Sequence, residues 1–171
     1  MKPLLATLRN PLANFILAVL PATRSFALKR WLLAGLGFEL GPGCKITGGV
    51  KFYGRGRIVI GEQSWVGLGC MFIAAPEAPI VIGARCDIAP GVILHTGSHR
   101  MGDARRRAGE GYSAAIVVGD GSWIGAGAIV LGGVAVGASS IVAAGATLRA
   151  GDYPADALLA GCPAVLKKVL P

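Results

Sequence analysis

A chain of 171 residues with a formal net charge of +8 has the length of one domain with a substantial core. Aromatic residues make up only 6% of it and are not interleaved with the basic ones, which argues against a stacking platform for nucleic acid. An anionic membrane face or a polyanionic small ligand remains as a partner for the charge. The four cysteines form no Cys-x-x-Cys motif, so neither a zinc site nor a redox pair is indicated. A reducing compartment, and hence a cytoplasmic location, follows as the simplest expectation.

Residues 1–38 differ from the rest. They predict two amphipathic helices, Pro3 to Leu20 and Ala22 to Leu36, divided at Pro21. The apolar run Phe15 to Leu20 is far shorter than the ~20 residues that span a bilayer. Lys2 and Arg9 ahead of it make a signal peptide conceivable, but Arg24, Lys29 and Arg30 follow quickly and the downstream sequence has no disulfide pattern. The expected role is a helical cap on a strand edge. The alternative is a basic amphipathic surface resting at the inner face of an anionic membrane.

From residue 39 to 154 a different period takes over. An aliphatic or aromatic residue returns every sixth position at Leu40, Ile46, Phe52 and Ile58. The phase shifts by two to Ile60, Val66 and Phe72, and resumes at Ile82, Ile88 and Leu94. It runs unbroken through Val118, Ile124, Val130, Val136, Val142 and Leu148. A period of six fits neither helix nor lone strand and marks a hexapeptide-repeat β-solenoid. Each unit supplies a short strand and a corner, and three units close a coil. About five coils fit between Leu40 and Pro154. The first position of each unit points inward, and the fifth sits in a narrower space. That fifth position is Ser122, Ala128, Val134, Ser140 and Ala146, and earlier Cys44, Cys70 and Cys86, which are therefore expected as buried thiols.

The period stops between Leu94 and Ile116. This 95–115 loop holds both histidines of the chain, His95 and His99, and four arginines, Arg100 and Arg105 to Arg107. Insertions of this kind form the functional surface of solenoids. A histidine metal site needs three protein ligands; two histidines without a carboxylate cluster do not supply them, so no metal is expected. General-base chemistry needs only one imidazole, to take the proton of a hydroxyl attacking a thioester carbonyl. Its other ring nitrogen must be held by a carbonyl or a carboxylate, and Glu110 and Asp103 are the nearby acids. The arginines suit an anionic ligand or simply form a solvated basic loop. Residues 155–171 leave the repeat and predict a return strand followed by a short basic helix.

Several motifs now converge. Ile88-Ala-Pro90 lies nine residues before His99. Gly109-Glu110-Gly111-Tyr112-Ser113 closes the charged loop. Val118-Gly-x-x-x-Trp123-Ile-Gly125 and Leu159-Ala-Gly-x-Pro163 follow. With them the stretch from about Ile80 to Lys168 resembles the hexapeptide-repeat acyltransferases. It is most similar to the galactoside and maltose acetyltransferases and to the O-acetyltransferases of surface-polysaccharide synthesis.

The resemblance implies a left-handed parallel β-helix assembled as a homotrimer, using acetyl-CoA as co-substrate and no metal. It implies His99 as general base with Glu110 beside it. Ala126 and Ala144 would fall along the pantetheine arm, and Lys168 near the coenzyme's phosphates. His95 and Tyr112 would line the acceptor cleft, while Trp123 would fill a corner between coils. The expected reaction is direct acetyl transfer to a hydroxyl of a sugar or surface-polysaccharide precursor. Acetylation of an amine on a nucleotide sugar or an antibiotic, and a non-catalytic scaffold, are the rival readings. Two departures stand out. Where the sugar acetyltransferases have an Asn-rich element, this chain has Gly69-Cys70-Met71, and its N-terminal region is more apolar than theirs. Both favour a different acceptor from galactosides or maltose, lipid-linked or a polymer precursor.

Overall fold

The computed structural model describes residues 3–171, with side chains from Leu8 onward, so Lys2 lies outside the described residues. Two helices, α1 (Pro3–Val19) and α2 (Phe26–Gly35), precede a solenoid of short strands. Its first coil is β1 (Glu39–Leu40), β2 (Lys45–Ile46) and β3 (Lys51–Tyr53). The second is β4 (Ile58–Ile60), β5 (Trp65–Val66) and β6 (Met71–Ile73), and the third β7 (Ile80–Ile82), β8 (Asp87–Ile88) and β9 (Ile93–His95). An excursion, β10 (Gly97–Met101) and β11 (Ala108–Ser113), interrupts the winding. It resumes with β12 (Ile116–Val118), β13 (Trp123–Ile124) and β14 (Ile129–Leu131), then β15 (Val134–Val136), β16 (Ile141–Val142) and β17 (Thr147–Leu148). A sixth coil begins with β18 (Gly151–Tyr153) and β19 (Ala157–Gly161).

Stacking these strands makes three parallel sheets. Sheet A runs β1-β4-β7-β12-β15-β18, sheet B runs β2-β5-β8-β13-β16-β19, and sheet C runs β3-β6-β9-β14-β17. The molecule is thus a parallel β-helix of the left-handed hexapeptide-repeat type, with five full coils and part of a sixth. The register shows why the six-residue phase drifts. Leu40 pairs with Ile60, Ile60 with Ile82, Ile82 with Val118 and Val118 with Val136. Coil lengths along this column are therefore 20, 22, 36 and 18 residues. Extra residues bulge at corners while the inward column stays continuous.

The predicted first positions fill the interior. Ile46, Val66, Ile88, Ile124, Val142 and Leu159 form one column on sheet B, none more than 1% exposed. Burying side chains of this size stabilises by about 1.5–3 kcal/mol each before entropy is charged against it. The corner between sheets A and B takes Cys44, Cys86, Ser122 and Ser140, and that between sheets B and C takes Cys70, Ala128 and Ala146. The serines lie in the first of these corners. Here Ser64, Ser122 and Ser140 are buried, and their hydroxyls donate to the carbonyls of Gly83, Gly137 and Pro154. Cys44, Cys70 and Cys86 are buried free thiols. Burial pushes the Cys44 and Cys70 thiols up, to about 12 and about 11.

The helices sit on the first coil, where sheet edges would otherwise be open. Asn14 accepts the Phe52 N–H at 2.8 Å and donates to the Phe52 carbonyl at 3.1 Å. Asn10 and Arg9 donate to the carbonyls of Gly54 and Gly56, the latter at 2.9 Å. Lys29, fully buried, donates to the carbonyls of Pro21 and Ala22 at 2.6 and 2.9 Å, which seals the link between the helices. Three polar side chains of α1 thus replace the missing neighbouring strand.

The C-terminal segment corrects one expectation. Residues 164–169 are not a helix but a strand, β20 (Ala164–Val169), antiparallel to β19. β19 would leave an open edge on sheet B, and the turn at Gly161-Cys162-Pro163 folds the chain back to cover it. The β-branched Val165 and Val169 favour that outcome over an isolated turn of helix. The solenoid also extends past residue 154, since β19 pairs in parallel with β16.

Candidate active site

The residues that interrupted the repeat form an antiparallel hairpin at the corner between sheets C and A. Its base is clamped. Thr96 is buried, its hydroxyl accepts the Ala75 N–H at 2.9 Å, and its carbonyl accepts the Ala114 N–H at 3.0 Å. Within the hairpin His99 lies opposite Gly111. His99 Nδ1 is 3.0 Å from the Gly109 carbonyl oxygen. A carbonyl only accepts, so Nδ1 carries a proton, and in the neutral ring Nε2 is the nitrogen with the lone pair.

Of the two kinds of partner the sequence left open, a carbonyl and a carboxylate, the structure shows the carbonyl. Glu110 does not hold His99. Its carboxylate is exposed and lies 4.0 Å from Arg100, a loose surface pair. The main chain of residue 109 reaches β10 while the next side chain turns to solvent. Asp103 is also engaged elsewhere, accepting the N–H groups of Arg105 and Arg106 at the hairpin tip.

His95 and His99 are brought together. With Tyr112 and Ser113 they line an open hollow of about 360 Å³ beside Ala75. His95 comes from β9 and points out of sheet C, and Tyr112 lies under the Arg100 guanidinium at 5.4 Å. Arg105, Arg106 and Arg107 are exposed on the hairpin tip.

The residues assigned to the coenzyme stand elsewhere. Ala126 and Ala144 are exposed and occupy the same corner on successive coils, linked by the Gly145 N–H to Ala126 carbonyl bond of 2.8 Å. Below them, Gly127 N–H donates to the Pro90 carbonyl. This ladder of small residues lies between sheets B and C, across the width of sheet C from the hairpin corner. Lys168 is exposed on β20 opposite Leu158, at the end of sheet B. A single chain therefore does not bring Ala126, Ala144 and Lys168 to His99.

Trp123 departs from expectation too. It is not packed in a corner but stands on the outer face of sheet B, 53% exposed. With Trp65 and Asp87 it lines a second hollow of about 340 Å³. The register pairs Trp65 with Asp87 and Asp87 with Trp123. All three are sixth positions of their repeats, and that position faces outward throughout sheet B; the period alone could have placed them there. Among the described residues, no three His, Cys, Asp or Glu side chains gather into a metal-binding group.

Fold and hairpin together define a hexapeptide-repeat β-helix with a histidine presented at a corner. Comparison with known proteins agrees. Residues 115–150 match the family of bacterial transferase hexapeptides (six repeats), and residues 57–95 match the hexapeptide repeat of succinyl-transferase. The chain is a hexapeptide-repeat protein with the fold of the hexapeptide-repeat acyltransferases.

Among similar proteins, a Dictyostelium discoideum protein provisionally named an acetyltransferase is 38% identical over 115 residues, 67% of this chain and 59% of that protein. Nodulation protein L of Rhizobium meliloti is 33% identical over 103 residues, 60% of this chain and 55% of that protein. The chain thus spans little more than half the length of these curated relatives. A galactoside acetyltransferase solved with coenzyme A superposes with a TM-score of 0.82 at 25% identity, covering 100% of this chain and 84% of that one. A hexapeptide-repeat containing acetyltransferase of Vibrio cholerae O1 biovar eltor, solved with acetyl coenzyme A, gives 0.80 at 26% identity, covering 98% and 88%.

Proposed function

We propose that this protein transfers an acetyl group from acetyl coenzyme A to a hydroxyl of a sugar or surface-polysaccharide precursor. The observation that carries the reading is the His99 ring, held through Nδ1 by the Gly109 carbonyl with Nε2 free in an open hollow. His99 Nε2 takes the hydroxyl proton as the oxygen bonds to the thioester carbonyl carbon. The C–S bond then breaks, and the imidazolium returns the proton to the departing thiolate. The protein ends as it began, and no covalent enzyme intermediate forms.

His95 and Tyr112 line the acceptor side of the hollow in this reading. The bare corner at Ala126 and Ala144 suits a slender, flexible arm, because no side chain larger than a methyl group rises from either position. Lys168 adds a cation for phosphate at the end of sheet B. Because these positions are a sheet's width from His99, a second copy must supply one half of each site. A homotrimer with shared sites satisfies this, and the galactoside and Vibrio proteins solved with coenzyme A or its acetyl ester support the choice of donor.

Calorimetric titration with acetyl coenzyme A and coenzyme A tests the donor without knowledge of the acceptor. Saturation near one site per chain is expected, and no binding at millimolar ligand would overturn the reading. A screen of hydroxyl against amine acceptors then tests the chemistry. Transfer to amines alone would move the protein to the N-acetyltransferases.

A further inference from the structure

The helical cap leaves an apolar stripe in solvent. On α1 the face turned to the solenoid bears Arg9, Asn10 and Asn14, bonded to strand-edge carbonyls, with the small or aliphatic Ala13 and Leu17 between them. The face turned to solvent bears Leu8, Leu12, Phe15 and Val19, which are 42%, 41%, 64% and 60% exposed. Their spacing of four, three and four residues places all four in one narrow stripe. On α2, Leu28 and Trp31 are likewise exposed, Trp31 to 71%. An amphipathic helix that only capped a coil would keep its large apolar side chains against that coil.

Charge selects the partner. The first 38 residues contain Lys2, Arg9, Arg24, Lys29 and Arg30 and no Asp or Glu. Arg9 and Lys29 are turned inward, while Arg24 is exposed in the link between the helices and Arg30 is half-exposed. A second copy of this cap would bring cations against cations with no acid to offset them. An anionic surface meets both features, since apolar side chains enter the acyl boundary while cations stay at the headgroups. Trp31, apolar with one polar edge, suits that boundary. Neither helix is long and apolar enough to cross a membrane, so the geometry is that of a helix lying on the surface.

We propose that the outer faces of α1 and α2 dock the protein onto an anionic lipid bilayer. The docking surface is distinct from the hairpin hollow and does not depend on the transfer reaction. Flotation of the full chain tests it, using vesicles of phosphatidylcholine and of equal parts phosphatidylcholine and phosphatidylglycerol. The protein should float with the anionic vesicles, weakly or not at all with the neutral ones, and less as salt is raised. Phe15→Glu should reduce partitioning at least about tenfold, and Arg24→Glu should reduce it on anionic vesicles only.

Circular dichroism and a thermal melt establish that each variant is folded, and keep failure here separate from failure of the proposed reaction. No flotation of the folded wild type would overturn the proposal, as would equal flotation of folded Phe15→Glu. A fall in sedimentation mass caused by Phe15→Glu would also overturn it, by showing that the stripe is covered by a second copy.

Discussion

Replacing His99 with alanine tests the proposed chemistry at its centre. The residue is exposed on a hairpin outside the solenoid core, and its ring makes one hydrogen bond, to the Gly109 carbonyl. Loss of such a bond costs about 0.5–1.5 kcal/mol at most, so the variant should fold and melt close to wild type. The chemical loss should be much larger. General-base assistance is worth roughly 10²–10⁴-fold in rate, which is about 3–5 kcal/mol at 1.36 kcal/mol per decade. His95 also lines the hollow, but its replacement should chiefly raise the KM of the acceptor.

The assay follows loss of the thioester absorbance at saturating acetyl coenzyme A and acceptor. It avoids thiol reagents, which would react with the exposed Cys162. Coenzyme binding by calorimetry should be little changed in His99→Ala, because in the proposed shared site the corner at Ala126 and Ala144 and the Lys168 cation, not His99, hold the coenzyme's arm and phosphates. Glu110→Gln supplies the contrast: its carboxylate does not touch His99, so kcat should change by less than about threefold. A His99→Ala protein that binds the coenzyme and retains kcat within a few-fold would refute the base assignment. A Glu110→Gln loss as large as that of His99→Ala would refute the assignment of the orienting role to the Gly109 carbonyl.

Ala126→Trp should weaken acetyl coenzyme A binding at least about tenfold, or 1.4 kcal/mol, while leaving the melting temperature near wild type because the corner is exposed; calorimetry and a thermal scan check both. Gly125→Ala should destabilise severely, by about 2–4 kcal/mol. A Cβ there would lie 2.5 Å from the Ala144 nitrogen and 2.7 Å from the Val142 carbonyl oxygen, both backbone atoms of the next coil. Asn14→Ala removes both bonds to Phe52 and should cost about 1–3 kcal/mol, read as a lower melting temperature with unchanged coenzyme binding. Alkylation of the native protein at pH 8 should label Cys162 first. Cys44 and Cys70, raised to about 12 and about 11, are thiolate in roughly one molecule in ten thousand and one in a thousand at that pH, and should label fully only after unfolding.

The solenoid was legible in the sequence because its core is periodic. Each inward residue stacks on its equivalent one coil away, so spacing along the chain equals position in space. Val118 to Leu148 could be placed without a structure, as could Ser122, Ser140 and the buried cysteines. The same arithmetic, carried to the sixth position of each repeat, would have turned Trp65 and Trp123 outward. It did not extend to segments that leave the repeat. Whether 164–169 coil or pair depends on the open edge of β19, which local sequence does not contain. The orientation of His99 rests on a main-chain carbonyl, and every residue has one, so no side-chain pattern points to Gly109.

The two helices were predicted from their apolar content, yet only their contacts with the first coil determine which face is outside. Polar side chains turned inward because strand-edge carbonyls needed donors, and that left Leu8, Leu12, Phe15 and Val19 in solvent. The separation of Ala126 and Ala144 from His99 likewise belongs to the tertiary structure. Three sheets closing a triangle place neighbouring segments of chain on different corners.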